Sequence, residues 1–142
     1  MRGYSCIGLH NPKFACNVGS VLRLAKNFDC AFVAHSGKRY RKHGTDTMKT
    51  WRHIPLFQVE DLRNIIPYDC VPIAVELLPE ASSIIGFKHP KRAFYIFGGE
   101  DETMGKKVIS WCKEVIYVPT KLCMNLAVTA GVVLYDRLIK EA

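Results

Sequence analysis

The chain has 142 residues, 49% hydrophobic and 23% charged, with a formal charge of +7. This is the balance of a soluble globular fold, and it suggests neither disorder nor a membrane span. One core of ordinary size uses up this length, so a single domain over residues 1–142 is expected.

The first apolar run, Tyr4–Leu9, reads as a strand and is too short for a secretory signal, so a cytoplasmic protein is expected. After it come Asn11-Pro12 and then Asn17-Val18-Gly19-Ser20-Val21-Leu22-Arg23, at a strand-to-helix turn. Gly and Asn there allow a ligand close to the backbone. A helix is predicted from Val18 to Phe28, with Asn17 capping its free amides and Arg23 near its start. An Arg so placed is either a solvated surface cation or a group reaching the mouth of a site.

A second strand is predicted at Ala31–His35 and a third at Ile54–Phe57, separated by a basic loop. Residues 36–53 hold Lys38, Arg39, Arg41, Lys42, Lys49 and Arg52 against the single acid Asp46, with Tyr40, His43, Trp51 and His53 interleaved. Cations beside flat rings suit phosphates and bases, although a solvated loop has the same composition. Lys38, Arg39, Arg41 and Lys42 are the candidate RNA contacts.

A short helix is expected at Val59–Ile66 and a fourth strand at Val71–Glu76. The fifth, Ala93–Phe97, runs into Gly98-Gly99-Glu100-Asp101-Glu102, where two glycines open the carboxyl end of a strand. The spacing matches neither a dinucleotide fingerprint nor a phosphate loop. A helix at Gly105–Lys113 and a sixth strand at Val115–Val118 follow, then Pro119 through Cys123-Met124-Asn125-Leu126. Asn125 reads as a buried amide that needs a partner, with helix capping as the plain explanation. The last helix, Met124–Lys140, is apolar on nearly every side until Asp136, so it is expected against the sheet or a second subunit.

Strands alternating with helices give an α/β fold with a mostly parallel six-stranded sheet and helices on both faces. The six cysteines are scattered without zinc-ligand spacing, so reduced, mostly buried thiols and no metal are expected.

Taken in order and spacing, Asn17-Val18-Gly19 through Arg23, Phe97-Gly98-Gly99-Glu100, and Val118-Pro119 with Cys123-Met124-Asn125-Leu126 resemble the three motifs of the SpoU branch of the SPOUT RNA methyltransferases. The resemblance covers nearly the whole chain. It implies a C-terminal trefoil knot, a homodimer, and S-adenosylmethionine held by Leu77, Gly98, Val118, Cys123 and Leu126. It further implies methylation of a ribose 2′-oxygen of RNA, tRNA more readily than rRNA, by Arg23 with Asn17, Glu100 and Asn125. Three departures stand out: Cys123 replaces the family serine, the third motif is about three residues shorter, and Thr103-Met104 replaces a Gly-Leu pair.

Three rivals remain at this level. They are an RNA-binding protein that keeps the fold without turnover, an enzyme that methylates a base nitrogen, and a flavodoxin-type nucleotide-binding module.

Overall fold

The computed structural model describes residues 3–40 and 52–141. Its strands are β1 (Tyr4–Leu9), β2 (Val33–Ser36), β3 (Leu56–Val59), β4 (Val71–Val75), β5 (Ser82–Ser83), β6 (Arg92–Phe97) and β7 (Glu114–Tyr117). The helices are α1 (Ala15–Asn27), α2 (Gly105–Ser110) and α3 (Leu126–Glu141).

All seven strands join one sheet in the order β3-β2-β1-β6-β4-β7-β5, and every pairing is parallel. The expected six strands are therefore corrected to seven. The extra one, β5, is two serines paired with Ile116 and Tyr117, with no apolar pattern to betray it. The chain runs outward from β1 to β3, returns on the other side at β4, and later inserts β6 between β1 and β4. A flavodoxin-type sheet, ordered 2-1-3-4-5, does not have this path.

Parallel strands buried on both faces read as continuous apolar runs, and their side chains still alternate between two cores. Ile7, Leu9, Ile73, Val75, Tyr95 and Phe97 face α1 and α3, where Val18, Val21, Leu22, Ala130 and Val133 meet them. Cys6, Ala74, Phe94 and Ile96 face Leu62 and Val108 on the other side.

Several boundaries move for identifiable reasons. The helix expected at Val59–Ile66 is replaced by the end of β3 and a 3-10 turn at Leu62–Ile65, because the Asp61 side chain caps the turn by accepting from the Arg63 amide. Helix α1 begins at Ala15, three residues before the expected Val18, so Asn17 lies inside it. Of the six cysteines, all unpaired, only Cys6, Cys30 and Cys70 are buried, while Cys16 and Cys123 are exposed. The expectation of mostly buried thiols is corrected accordingly. Among the described residues no helix is long and apolar enough to cross a membrane, and no group of three or more His, Cys, Asp or Glu is placed to hold a metal ion.

Candidate functional site

A cavity of about 650 Å³ opens at the carboxyl ends of β4, β6 and β7, where parallel α/β sheets gather ligands. Its walls come from three stretches far apart in sequence: Val75–Leu77 after β4, Phe97–Thr103 after β6, and Val118 with Thr120 and Cys123–Leu126 after β7. Phe14 and Asn17 close it from α1.

A relay of side chains ties these walls together. Asn125 Nδ2 donates to Asn17 Oδ1 at 3.0 Å, and Asn17 Nδ2 donates to Glu100 Oε2 at 3.0 Å. The Glu100 carboxylate also accepts from the amides of Lys13 at 2.9 Å and Phe14 at 2.8 Å. Those amides belong to the start of α1, whose own N-cap residue, Phe14, offers no side-chain acceptor. A negative group at a helix N-terminus meets free N–H groups and the positive end of the dipole. Glu100 thus performs, from a distant loop, the capping expected of Asn17. Burial pushes the Glu100 carboxyl up, but the Asn17 side chain and the two amides outweigh it and hold the group below its ordinary range.

Asn125 is the residue before α3, and its Oδ1 accepts from the amides of Ala127 at 2.9 Å and Val128 at 3.3 Å. It is therefore both cap and relay. It is also exposed, which corrects the reading of a buried amide inside the helix.

A second tie lies at the cavity's outer edge. The Arg39 guanidinium makes a paired contact with Asp101 at 2.9 and 2.8 Å and donates to the Asn11 carbonyl at 2.6 Å. Asn11, in the left-handed region at φ 51°, donates in turn to Glu102 Oε1 at 2.7 Å. Gly99 is required at this crossing, since a Cβ there would stand 2.8 Å from the Asn11 carbonyl oxygen and 2.9 Å from Arg39 Nη2. Hydrogen bonding from Arg39 lowers the Asp101 carboxyl below its ordinary range.

The structure thus brings together Asn17, Glu100 and Asn125 by direct hydrogen bonds, and Leu77, Gly98, Val118, Cys123 and Leu126 around one cavity. Arg23 is not among the lining residues. It lies in the third turn of α1, exposed to solvent, rather than near the helix start. Arg39, expected on RNA, is spent on the loop after β6; Lys38 is exposed. Arg41 and Lys42 lie outside the described residues.

One charged lining residue lay outside the motif segments: Glu76, the acid that follows β4 between Val75 and Leu77. Its only signal was a carboxylate at the carboxyl end of an apolar strand. The bare backbone of Gly98 lies beside it, with a Cβ position 3.3 Å from Glu76 Oε2 and 3.3 Å from the Met104 nitrogen. A cavity walled by Val75, Val118 and Leu126, with glycine backbone at one side and carboxylates at its edge, fits a nucleoside-sized ligand carrying both apolar and hydrogen-bonding parts.

The sequence model described as the SpoU rRNA Methylase family matches residues 5–135. Among curated proteins, none matches the chain in sequence. Among solved structures, the SpoU methyltransferase AviRb from Streptomyces viridochromogenes, in complex with AdoMet, superposes with a TM-score of 0.86 at 14% identity. That match covers 99% of this chain and 62% of the other, so the present chain spans about three fifths of that enzyme. The TrmH/SpoU tRNA modifying enzyme of A. aeolicus gives 0.85 at 15% identity, over 99% of this chain and 76% of that one. A structure described as giving insights into 2-OH methylation of C/U34 on tRNA gives 0.85 at 19% identity, over 98% of this chain and 97% of that one.

Proposed function

The chain belongs to the SpoU rRNA methylase family, and we propose that it is an S-adenosylmethionine-dependent RNA methyltransferase acting on a ribose 2′-hydroxyl. The observation that carries this reading is the relay Asn125–Asn17–Glu100, which joins the three motif segments around one cavity at the carboxyl ends of the sheet. When bound, S-adenosylmethionine supplies an electrophilic methyl group on sulfur.

The residues divide into those that hold the pocket and those that meet RNA. Glu100 has both carboxylate oxygens occupied by donors, so it fixes the start of α1 against the loop after β6 and does not serve as a base. Asn17 and Asn125 are positioning residues of the same kind. Leu77, Gly98, Val118, Cys123 and Leu126 form the cofactor wall. Arg23 is an exposed cation that forms no ion pair among the described residues, able to hold a phosphate of the RNA and stabilise a developing alkoxide. Of the four candidate RNA contacts, Arg39 is engaged in the clamp, and Lys38 is the other that lies among the described residues.

Two further features belong to this reading. The C-terminal trefoil knot belongs to this reading through the family, and the lining of one cavity by Val118, Thr120 and Cys123–Leu126 together with Phe97–Thr103 is consistent with it. A homodimer is supported by α3, where Val128, Val132, Tyr135 and Ile139 form an exposed apolar stripe on the side away from its buried face. A second copy offers the same stripe and covers it isologously. We take tRNA as the substrate class, because the matched structure whose subject is tRNA spans almost the same length as this chain.

The test is transfer of labelled methyl from S-adenosylmethionine to RNA, followed by alkaline digestion. A methylated 2′-oxygen blocks cleavage on its 3′ side and leaves a labelled, alkali-resistant dinucleotide. Label on a base points to base methylation, and no label in any RNA class removes the enzyme reading.

A further inference from the structure

The cavity contains a carboxylate that the relay does not use. Glu76 is half-buried at the end of β4; its own N–H donates to the Ile116 carbonyl at 2.9 Å, and its carboxylate accepts from the Met104 amide. Among the described residues no Lys, Arg or His forms an ion pair with it. Burial, only partly offset by the Met104 hydrogen bond, raises this carboxyl above its ordinary range.

The contrast with Glu100 is chemical. Both acids line the same cavity, yet Glu100 is saturated by three donors from the protein, while Glu76 has one amide and spare acceptor capacity. A carboxylate in a half-buried wall with one protein donor keeps acceptor sites turned to the cavity, where water or a ligand supplies the donors. Gly98 keeps the approach open, because any side chain there would stand against the Glu76 oxygen and the Met104 amide.

We propose that Glu76 is the cofactor-recognising carboxylate of this pocket, accepting hydrogen bonds from the two ribose hydroxyls of a 5′-thioadenosyl ligand. The assignment rests on the methyltransferase reading. Hydroxyls fit this acid better than an ammonium group, because Glu76 sits beside Val75 and Gly98 on the inner wall. The exposed acids Asp101 and Glu102 are placed at the mouth, where a strongly hydrated cation remains in water. A carboxylate at the carboxyl end of a parallel strand taking a ribose hydroxyl is an economical use of that geometry.

Calorimetry with S-adenosylhomocysteine, its 2′,3′-dideoxyribose analogue and 5′-methylthioadenosine tests the assignment on wild type, Glu76→Gln and Glu76→Ala. Wild type should prefer the diol ligand over the dideoxy analogue by about ten- to a hundredfold, the range of a charged hydrogen bond. Glu76→Ala should erase that preference and weaken 5′-methylthioadenosine by the same factor, with Glu76→Gln between. A preference that survives in Glu76→Ala overturns the proposal. So does a loss confined to S-adenosylhomocysteine, which would place the amino acid's ammonium on Glu76. The wild type alone provides a check that does not depend on the variants folding: absence of any diol preference also overturns the assignment. If wild type binds none of the three ligands, the methyltransferase reading itself fails.

Discussion

The two ends of the sheet handle polar groups in opposite ways. At the amino end, Arg137 Nη1 donates to the Tyr95 hydroxyl at 3.1 Å, Tyr95 and His89 Nδ1 lie 2.6 Å apart, and His89 Nε2 lies 2.8 Å from Asp136. Since ionised Asp136 only accepts, the chain of donors runs from Arg137 through Tyr95 and His89 and ends on Asp136, which also pairs with Lys140 at 2.8 Å. Arg137 also donates to the carbonyls of Pro90 and Lys91. At the carboxyl end the relay is equally well bonded, but its members face a cavity, and Glu76 lines that cavity with capacity to spare, while Arg23 lies exposed further along α1. A network that consumes its own donors holds a fold, whereas one that leaves groups open holds a ligand.

The largest expected effect on this contrast is Arg23→Ala. It should lower methyl transfer by about a thousandfold or more, as removal of a group acting in the transition state does. The melting temperature and S-adenosylhomocysteine affinity should stay near wild type, because the side chain is exposed. Steady-state rates beside a thermal melt decide it: near-normal turnover would move the chemistry away from Arg23.

Arg137→Ala should do the reverse. Loss of this buried guanidinium strands two carbonyls and the Tyr95 hydroxyl, costing about 3 kcal/mol and lowering the melting temperature by about 10 °C. Activity per folded molecule should be unchanged. A loss of turnover at full folding would mean that the amino end is not merely structural.

The basic segment supplies a smaller, sharper comparison between neighbours. Lys38→Ala should weaken RNA binding and reduce the slope of affinity against salt by about one counterion, while cofactor affinity holds. Arg39→Ala should instead loosen the loop carrying Asp101 and Glu102, lowering cofactor affinity several-fold, of order 1 kcal/mol. Filter binding across salt and calorimetry separate the two. Identical behaviour of both variants would show that the Arg39 clamp does not position the loop.

The same contrast explains what was legible in the sequence. Strand runs such as Arg92–Phe97 were visible because burial leaves a pattern in residue type, whereas Asn17, Glu100 and Asn125 were singled out by the resemblance of their segments to the family motifs. The capping of α1 by Glu100 was not, since it is made by a residue more than eighty positions away. Arg39 was read as a candidate RNA contact from its type and neighbours, and its contact with Asp101 was not legible because that partner is fixed only by tertiary approach. Strand β5 and Glu76 had no pattern beyond position at a sheet edge or a strand end.

The gentlest test is pH. Burial lowers the His89 imidazole below its ordinary value, and the pull of Asp136 toward the charged form does not make up the difference. Its side chain is 1% exposed. As pH falls below about 6.5, the unfolded chain takes up a proton that the folded chain refuses, so stability declines in that window. Protonation of Nδ1 would also set two donors against each other at Tyr95. His10 and His35, likewise lowered by burial, add to the same slope. Glu100 behaves oppositely: its folded carboxyl is depressed, so its contribution is whole above the ordinary carboxylate range and is lost only as pH falls through the folded value. Between pH 7 and 5, therefore, the amino end should weaken while the relay stays intact. Denaturant unfolding across pH should show this slope, and His89→Gln should reduce it to what His10 and His35 leave after the opposite contribution of the raised Glu76 carboxyl. An unchanged slope in His89→Gln would mean that the fold does not resist protonation of His89 and that the donor chain ending on Asp136 does not hold it neutral.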